Sequence, residues 1–276
     1  MDMTHPTTQG KLYRPASISR IGELEIRLPE VDSHCITQDA EWCEVCVGQS
    51  APRRVRFHDY HEIYQVPGLY EALFYETLEC CSPQRVTGLL EDVLHDWPDD
   101  ASDLRVLDVG AGNGMVGQEL RERGTSKIVG IDIIPEARDA ALRDRPDVYE
   151  DYFVADLTDL DEHTEEAIRK ARLNCLTTVA ALGFGDIPPQ AFLKALDLIA
   201  TPGWLAFNIK EDFIDQHDGS GFCELVRELT AAGVLRMQAY RRYTHRKSLS
   251  GEPLHYVAMI ATKDSDRPDA MMEHAA

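Results

Sequence analysis

The sequence predicts an α/β fold built on a doubly wound, mostly parallel sheet, and three observations predict it. Residues 104–117 run from an apolar strand through Gly110, Gly112 and Gly114 directly into an amphipathic helix. Acids then close successive apolar runs at even spacing, with Asp108, Asp132 and Asp156 lying 24 residues apart. Strand-like and helix-like segments alternate from there to a closing pair of strands. In βαβ units the carboxyl ends of the strands share one edge of the sheet, so the three carboxylates are expected to converge on one crevice.

The elements follow in order. Residues 1–10 are polar and expected to be disordered. An N-terminal extension, 11–98, carries β-prone runs at 21–28, 41–47 and 53–58, the last two flanking a hairpin loop at 48–52. A helical stretch over 60–78 is interrupted by Pro67 and Gly68, and a second helix over 83–97 puts Val86, Leu90, Val93 and Trp97 on one face. The main domain, 103–263, starts after the polar break at 98–103. Its first helix, 115–123, meets a stop at Gly124, and strands are expected at 127–132 and 152–156. Helices at 161–172 and 188–200 alternate with strands at 175–182 and 201–210. A last helix over 221–232 stops at Gly233, before strands 235–243 and 254–262 joined by a basic loop, 244–253. A loose tail, 264–276, ends the chain.

The glycine turn is where a ligand is expected. Glycine lets the backbone bend sharply and approach a ligand where side chains would collide, and the following helix N-terminus offers unpaired N–H groups. An acid after the second strand can accept from both hydroxyls of a ribose, and one after the third from an exocyclic adenine amine. A nicotinamide dinucleotide site uses the same parts. Against that reading, Asp108 would put a carboxylate beside a pyrophosphate, whereas a nearby amino group would welcome it.

At these residues, Asp108 followed by Gly110, Gly112 and Gly114, the chain resembles the class I S-adenosylmethionine (SAM)-dependent methyltransferases. The resemblance implies a Rossmann-like, seven-stranded, mostly parallel sheet with an antiparallel last strand, preceded here by a β-hairpin and lid helices. It implies that Gly110, Ala111, Gly112, Asn113 and Gly114 pass along the amino-acid part of SAM, whose amino group lies near Asp108. Asp132 with Ile133 would hold the ribose, and Asp156 with Leu157 the adenine. Thr178 and Val179, ending the fourth strand, complete the cofactor side. Residues 178–182 and 186–189 also resemble the methyltransferase-like proteins named after the Williams–Beuren region.

A formal charge of -20 disfavours nucleic acids and anionic membranes as partners, and its plainest role is solubility. No apolar run approaches the length of a bilayer span, and the first residues lack a secretion pattern. Seven cysteines in no scaffold spacing predict a reduced, cytoplasmic protein. Cys43 and Cys46, with His34 and Cys35 nearby, invite a zinc reading. On a regular strand, however, positions three apart face opposite ways, and no second pair accompanies them.

The acceptor half is read from residue chemistry. Residues 58–70 gather His58, His61, Tyr60, Tyr64 and Tyr70 where an N-terminal lid would close over the cofactor. Either histidine suits a general base, and the tyrosines offer flat walls with polar tips; packing at a domain junction is the plainer role for all of them. Asn208 and His245 are further candidates to face the acceptor, although Asn208 equally suits a backbone turn. The cations at 241–247 would receive an anionic substrate or balance neighbouring acids. No Asn- or Asp-Pro-Pro-Tyr follows the fourth strand, which disfavours a planar exocyclic amine acceptor. The acid and lysine of metal-dependent catechol methyltransferases are also missing, so no catalytic metal is expected. Taken together, the expectation is SAM-dependent methylation of a small molecule. Methylation of a protein side chain and a catalytically silent SAM-binding subunit are the alternatives.

Overall fold

A computed structural model describes residues 15–29, 38–182, 186–214 and 221–268. The chain opens with four antiparallel strands, β1 (Pro15–Ile21), β2 (Leu24–Pro29), β3 (Trp42–Val47) and β4 (Arg53–Arg56), paired in sequence order. The run expected as a single strand at 21–28 is instead part of a hairpin. Gly22 at φ +57° turns the chain, so that Ile21 pairs with Leu24. Helix α1 (Tyr60–Tyr64) and a π-helical turn, Glu71–Thr77, make up the helical stretch expected over 60–78, divided as expected at Pro67 and Gly68. Alternate residues Leu24, Ile26 and Val45 on the strands pack against Ile63, Leu69 and Leu73 to give this small layer its own core.

Helix α2 (Ser82–Leu94) leads into the main sheet. Its strands are β5 (Arg105–Val109), β6 (Lys127–Asp132), β7 (Asp151–Val154), β8 (Cys175–Thr178), β9 (Gly203–Lys210), β10 (Leu235–Lys247) and β11 (Pro253–Lys263). They lie in the order β10-β11-β9-β8-β5-β6-β7, and β11 runs antiparallel to both its neighbours. Between them come α3 (Met115–Glu122), α4 (Pro135–Asp144), α5 (Glu162–Lys170), α6 (Pro189–Leu198) and α7 (Phe222–Ala231). The sequence-predicted α/β class and the seven-stranded, mostly parallel sheet are both present.

Adjacent residues on a strand point to opposite faces, and the central strands are apolar on both. Leu107, Val129 and Leu176 face α5, α6 and α7, meeting Ile168, Phe192 and Leu229. Val106, Ile128 and Cys175 face the other way, onto Val86 and Leu90 of α2 and Leu120 of α3. Helix α2 thus belongs to the core of the main sheet. Among the described residues no helix is long and apolar enough to cross a membrane.

The expected basic loop at 244–253 is half strand: β10 runs to Lys247 and β11 begins at Pro253, with Thr244 paired to His255. This extension reaches the small layer. The Lys247 N–H donates to the Leu78 carbonyl (2.7 Å) and the Cys81 N–H to that of His245 (3.0 Å). Arg246 forms an ion pair with Glu41 whose side chains are 4% and 3% exposed, and the second Glu41 oxygen accepts from the Leu249 N–H.

Removing one member of a buried pair leaves an uncompensated charge, whereas replacing both with apolar groups does not. Glu41→Ala is therefore expected to destabilise the protein by about 3 to 5 kcal/mol in denaturant unfolding. The double variant Glu41→Leu/Arg246→Met should recover most of that loss. Equal losses in the two variants would contradict the pairing.

Candidate functional site

The sheet's strand order reverses between β5 and β8, whose chain continuations diverge, and a cleft opens at their carboxyl ends as the topology requires. A cavity of about 330 Å³ lies there, at the lower end of the range of ligand pockets. Gly110, Asp132, Ile133, Asp156, Leu157 and Val179 line it from the sheet side, and Tyr60, Tyr64 and Tyr70 from the N-terminal layer.

The glycine turn is tied down at both ends of its bend. The Gly110 and Ala111 N–H groups donate to the Ile131 carbonyl (3.0 and 3.2 Å), and the Gly112 N–H donates to Asp132 Oδ2 (2.9 Å). Gly110 holds φ +65°, and a Cβ there would lie 2.9 Å from the Ala181 Cβ, so only glycine fits. At Gly112, φ +54°, a Cβ would lie 2.5 Å from the Tyr64 hydroxyl, which covers the turn. Gly112 thus sits under the lid, Asn113 Nδ2 donates to Glu71 Oε1 (2.7 Å), Gly114 packs against Tyr149 and Arg145, and none of the three borders the cavity. Ala111 is buried with them.

Two of the three carboxylates reach the cleft. Asp132 Oδ1 accepts from the Ile134 N–H (3.0 Å); burial raises its carboxyl above the ordinary range while the backbone donors pull it down. Asp156 caps the turn that follows β7, taking both the N–H and the hydroxyl of Thr158 on Oδ1 (2.8 and 2.7 Å), which lowers its carboxyl. Asp108 does not border the cavity. Its register on β5 sets it opposite Thr177 of β8, whose hydroxyl donates to Oδ1 (2.7 Å), and Tyr149 donates to Oδ2 (2.8 Å). Fully enclosed, it is pushed up to about 6 by burial, against the pull of those two donors. Thr178 is likewise buried off the cavity, and its Oγ1 has no hydrogen-bond partner among the described residues.

The lid residues divide by helix geometry. Tyr60 and Tyr64, four apart on α1, stack with centroids 6.1 Å apart and face the cavity, and Tyr70 lies 5.2 Å from Tyr64. Tyr64 also packs on Ala137 and Ala140 of α4. His61, one residue on from Tyr60, is turned about 100° away. It is exposed and borders neither this cavity nor its neighbour, which removes it as a base.

His58 borders an adjoining cavity of about 40 Å³, with Nδ1 3.7 Å from Asp186 Oδ2. Tyr60, Tyr70, Ala180 and Asp186 border both spaces. His245 borders the smaller one but is held by Ser82 Oγ at Nδ1 (2.6 Å) and packs on Tyr256 at 4.1 Å. Burial and the neighbouring Arg246 lower it to about 3, so it stays neutral and is a poor base. Asn208 is fully buried and faces no cavity. Its Oδ1 accepts from the Ala180 N–H (2.6 Å) and its Nδ2 donates to Tyr243 (2.6 Å), leaving it nothing to offer a substrate. It braces Ala180 at φ +58°, a strained position at the cleft.

The basic residues are matched by acids. Arg241 meets Asp92, Arg242 meets Glu211, Arg246 meets Glu41 and Lys247 meets Glu79, so balance rather than anion capture describes them. Cys43 faces the apolar core of the small layer, its thiol pushed up to about 12 by burial, while Cys46 stands outside that cluster. His34 and Cys35 lie outside the described residues. Sequence reasoning missed Asp186 as a site residue, although the acid before Ile187, Pro188 and Pro189 was noticed; only the fold carries that segment back across the cleft.

Residues 84–255 match the family described as methyltransferase domain. No curated protein matches the chain. Among solved structures, the N-methyltransferase NodS from Bradyrhizobium japonicum WM9, in complex with S-adenosylhomocysteine, aligns with a TM-score of 0.50 at 13% identity. That alignment covers 76% of this chain and 98% of NodS, and what it shows is a shared fold. Magnesium protoporphyrin IX methyltransferase (ChlM) from Synechocystis PCC 6803 aligns with a TM-score of 0.45 at 14% identity, covering 66% of this chain and 79% of its own.

A folded-state value raised to about 6 means that Asp108 favours folding below its unfolded range near 3.8 and that this advantage is lost as pH rises through about 6. Asp108→Asn removes the cost of the buried charge, on the order of 3 kcal/mol. Its melting temperature relative to the parent should therefore increase between pH 5 and pH 8. A constant difference across that window would contradict a buried carboxylate at this position.

Proposed function

The chain belongs to the methyltransferase domain family, and from that membership we propose that it binds SAM at the ends of β5, β6 and β7 and methylates a small molecule beneath its N-terminal lid. The observation that carries the acceptor class is the roof of Tyr60, Tyr64 and Tyr70. It covers one side of a half-open cleft, which favours a small acceptor over a protein side chain carried on its backbone.

The residues at the cleft fit an adenosyl group. Asp132 keeps acceptor capacity on a group that borders the cavity and matches a pair of ribose hydroxyls. Asp156 uses only Oδ1 for its cap, so Oδ2 serves an exocyclic amine. Ile133 and Leu157 provide apolar faces for the flat base between them. When bound, SAM supplies a methyl group on a sulfonium, whose displacement requires acceptor, methyl carbon and sulfur in line. The chain's part is alignment and exclusion of water: the two acids and Gly110 hold one reactant, and the tyrosines close over the other. Residues 178–182 and 186–189 keep the narrower likeness to the Williams–Beuren-region proteins within this reading.

Labelled SAM incubated with the chain and a cell extract should place label in the low-molecular-weight fraction; label confined to protein would contradict the small-molecule reading. Asp132→Ala should weaken S-adenosylhomocysteine binding by about 1 to 3 kcal/mol in calorimetry, through loss of charge-assisted hydrogen bonds. Unchanged affinity would remove Asp132 from the site.

A further inference from the structure

We propose that Glu71 and Arg145, an ion pair joining the lid to the glycine turn, receive the amino-acid end of the cofactor, Glu71 Oε2 taking its ammonium and Arg145 Nη2 its carboxylate. The inference rests on the cofactor reading above and adds two residues to that site.

Position comes first. With a ribose on Asp132, the rest of the ligand starts where the Gly112 N–H meets Asp132 Oδ2 (2.9 Å). The next residue of the turn is Asn113, its Cα about 3.8 Å on, and its Nδ2 donates to Glu71 Oε1 (2.7 Å). Arg145, which caps the end of α4, reaches the same point: Nη1 donates to Glu71 Oε1 (2.8 Å) and to the Asn113 carbonyl (3.0 Å). Neither member of the pair borders the cavity. Tyr64 links the two places, since it lines the cavity and sets its hydroxyl over Gly112, and that hydroxyl is what the amino-acid end displaces.

What the pair leaves unused defines the ligand. Glu71 Oε2 is buried with no hydrogen-bond partner among the described residues. A buried carboxylate oxygen in that state is costly, and a cationic donor removes the cost. Arg145 uses Nε on Gln118 Oε1 (2.7 Å), while Nη2 has the Met115 thioether, a weak acceptor, as its sole partner among the described residues. One spare acceptor beside one poorly matched donor, on a pair that is neutral overall, fits a zwitterion better than a net cation or anion. SAM ends in such a group, an α-ammonium beside an α-carboxylate. Asp108, the acid expected from the sequence to meet that ammonium, is held off the cavity by Thr177 and Tyr149. Glu71 brings a carboxylate from the lid instead.

The arrangement couples ligand to lid. Glu71 begins the π-helical turn directly after Tyr70, so a ligand gripped by Glu71 also fastens the tyrosine roof. A nucleoside without the amino-acid end fills the cavity and leaves that contact unmade.

The test uses the full chain and three ligands in calorimetry: S-adenosylhomocysteine, its decarboxylated form, which keeps the amine, and 5′-methylthioadenosine, which lacks the whole amino-acid end. The parent should bind S-adenosylhomocysteine about tenfold or more tighter than 5′-methylthioadenosine. Glu71→Gln keeps an oxygen for Asn113 and Arg145 but puts an amide NH2 where Oε2 stood. It should lose about tenfold or more on S-adenosylhomocysteine and on the decarboxylated form, and stay within about twofold on 5′-methylthioadenosine, which also reports that the variant is folded. Arg145→Gln should lose about fivefold more on S-adenosylhomocysteine than on the decarboxylated form. Equal parent affinity for S-adenosylhomocysteine and 5′-methylthioadenosine, unchanged S-adenosylhomocysteine affinity in Glu71→Gln, or the same loss on all three ligands would overturn the inference. If Glu71→Gln does not fold, Arg145→Gln decides, and equal losses on S-adenosylhomocysteine and its decarboxylated form overturn it. A parent chain that binds none of the three overturns the cofactor reading itself, so that one measurement tells the two failures apart.

Discussion

The cleft depends on the hydrogen bond from the Gly112 N–H to Asp132. It ties the bend after β5 to the end of β6, and with the two bonds onto the Ile131 carbonyl it holds the glycine turn against the neighbouring strand. An aspartate that must hold a backbone loop is drawn out of water, which raises its carboxyl and leaves its remaining lone pairs at the cavity. Structure and ligand chemistry therefore converge on one side chain. A substitution that spares the ligand contacts but loses the loop would still reshape the site.

On the other side of the reversal the constraint is crowding. Gly110 and Ala181 approach too closely for any larger residue, and Asn208 holds Ala180 in a left-handed conformation from behind. Strain of this kind persists only where the surroundings over-determine it, and here a buried network of Asn208, Ser82 and Tyr243 does so. The same network reaches His245, so the floor of the smaller cavity and the rim of the larger one are parts of a single hydrogen-bonded unit.

Much of this was legible in the sequence because it rests on local rules. A glycine turn between strand and helix, and acids closing parallel strands, follow from backbone sterics and strand polarity, so Gly110, Asp132 and Asp156 fell where expected. Asp108 obeyed the same spacing but not the same fate. Its orientation depends on Thr177 and on Tyr149, a residue far along the chain, and no local pattern reveals either. Helix phase separated His61 from Tyr60 and Tyr64, which was available in principle once the short helix was located. Residues 244–247 were expected as loop and are strand instead, where Arg246 and Lys247 meet the distant acids Glu41 and Glu79. Asp186 was illegible for the same reason, since only the tertiary fold carries it to the cleft.

The central claim is that one adenosyl group fills the larger cavity with its ribose on Asp132. A crystal structure of the chain with S-adenosylhomocysteine tests it most directly. The account predicts both ribose hydroxyls within hydrogen-bonding distance of the Asp132 carboxylate and the base between Ile133 and Leu157. Nucleoside density elsewhere on the molecule, or a ribose held by other residues while Asp132 keeps only its backbone partners, would contradict it.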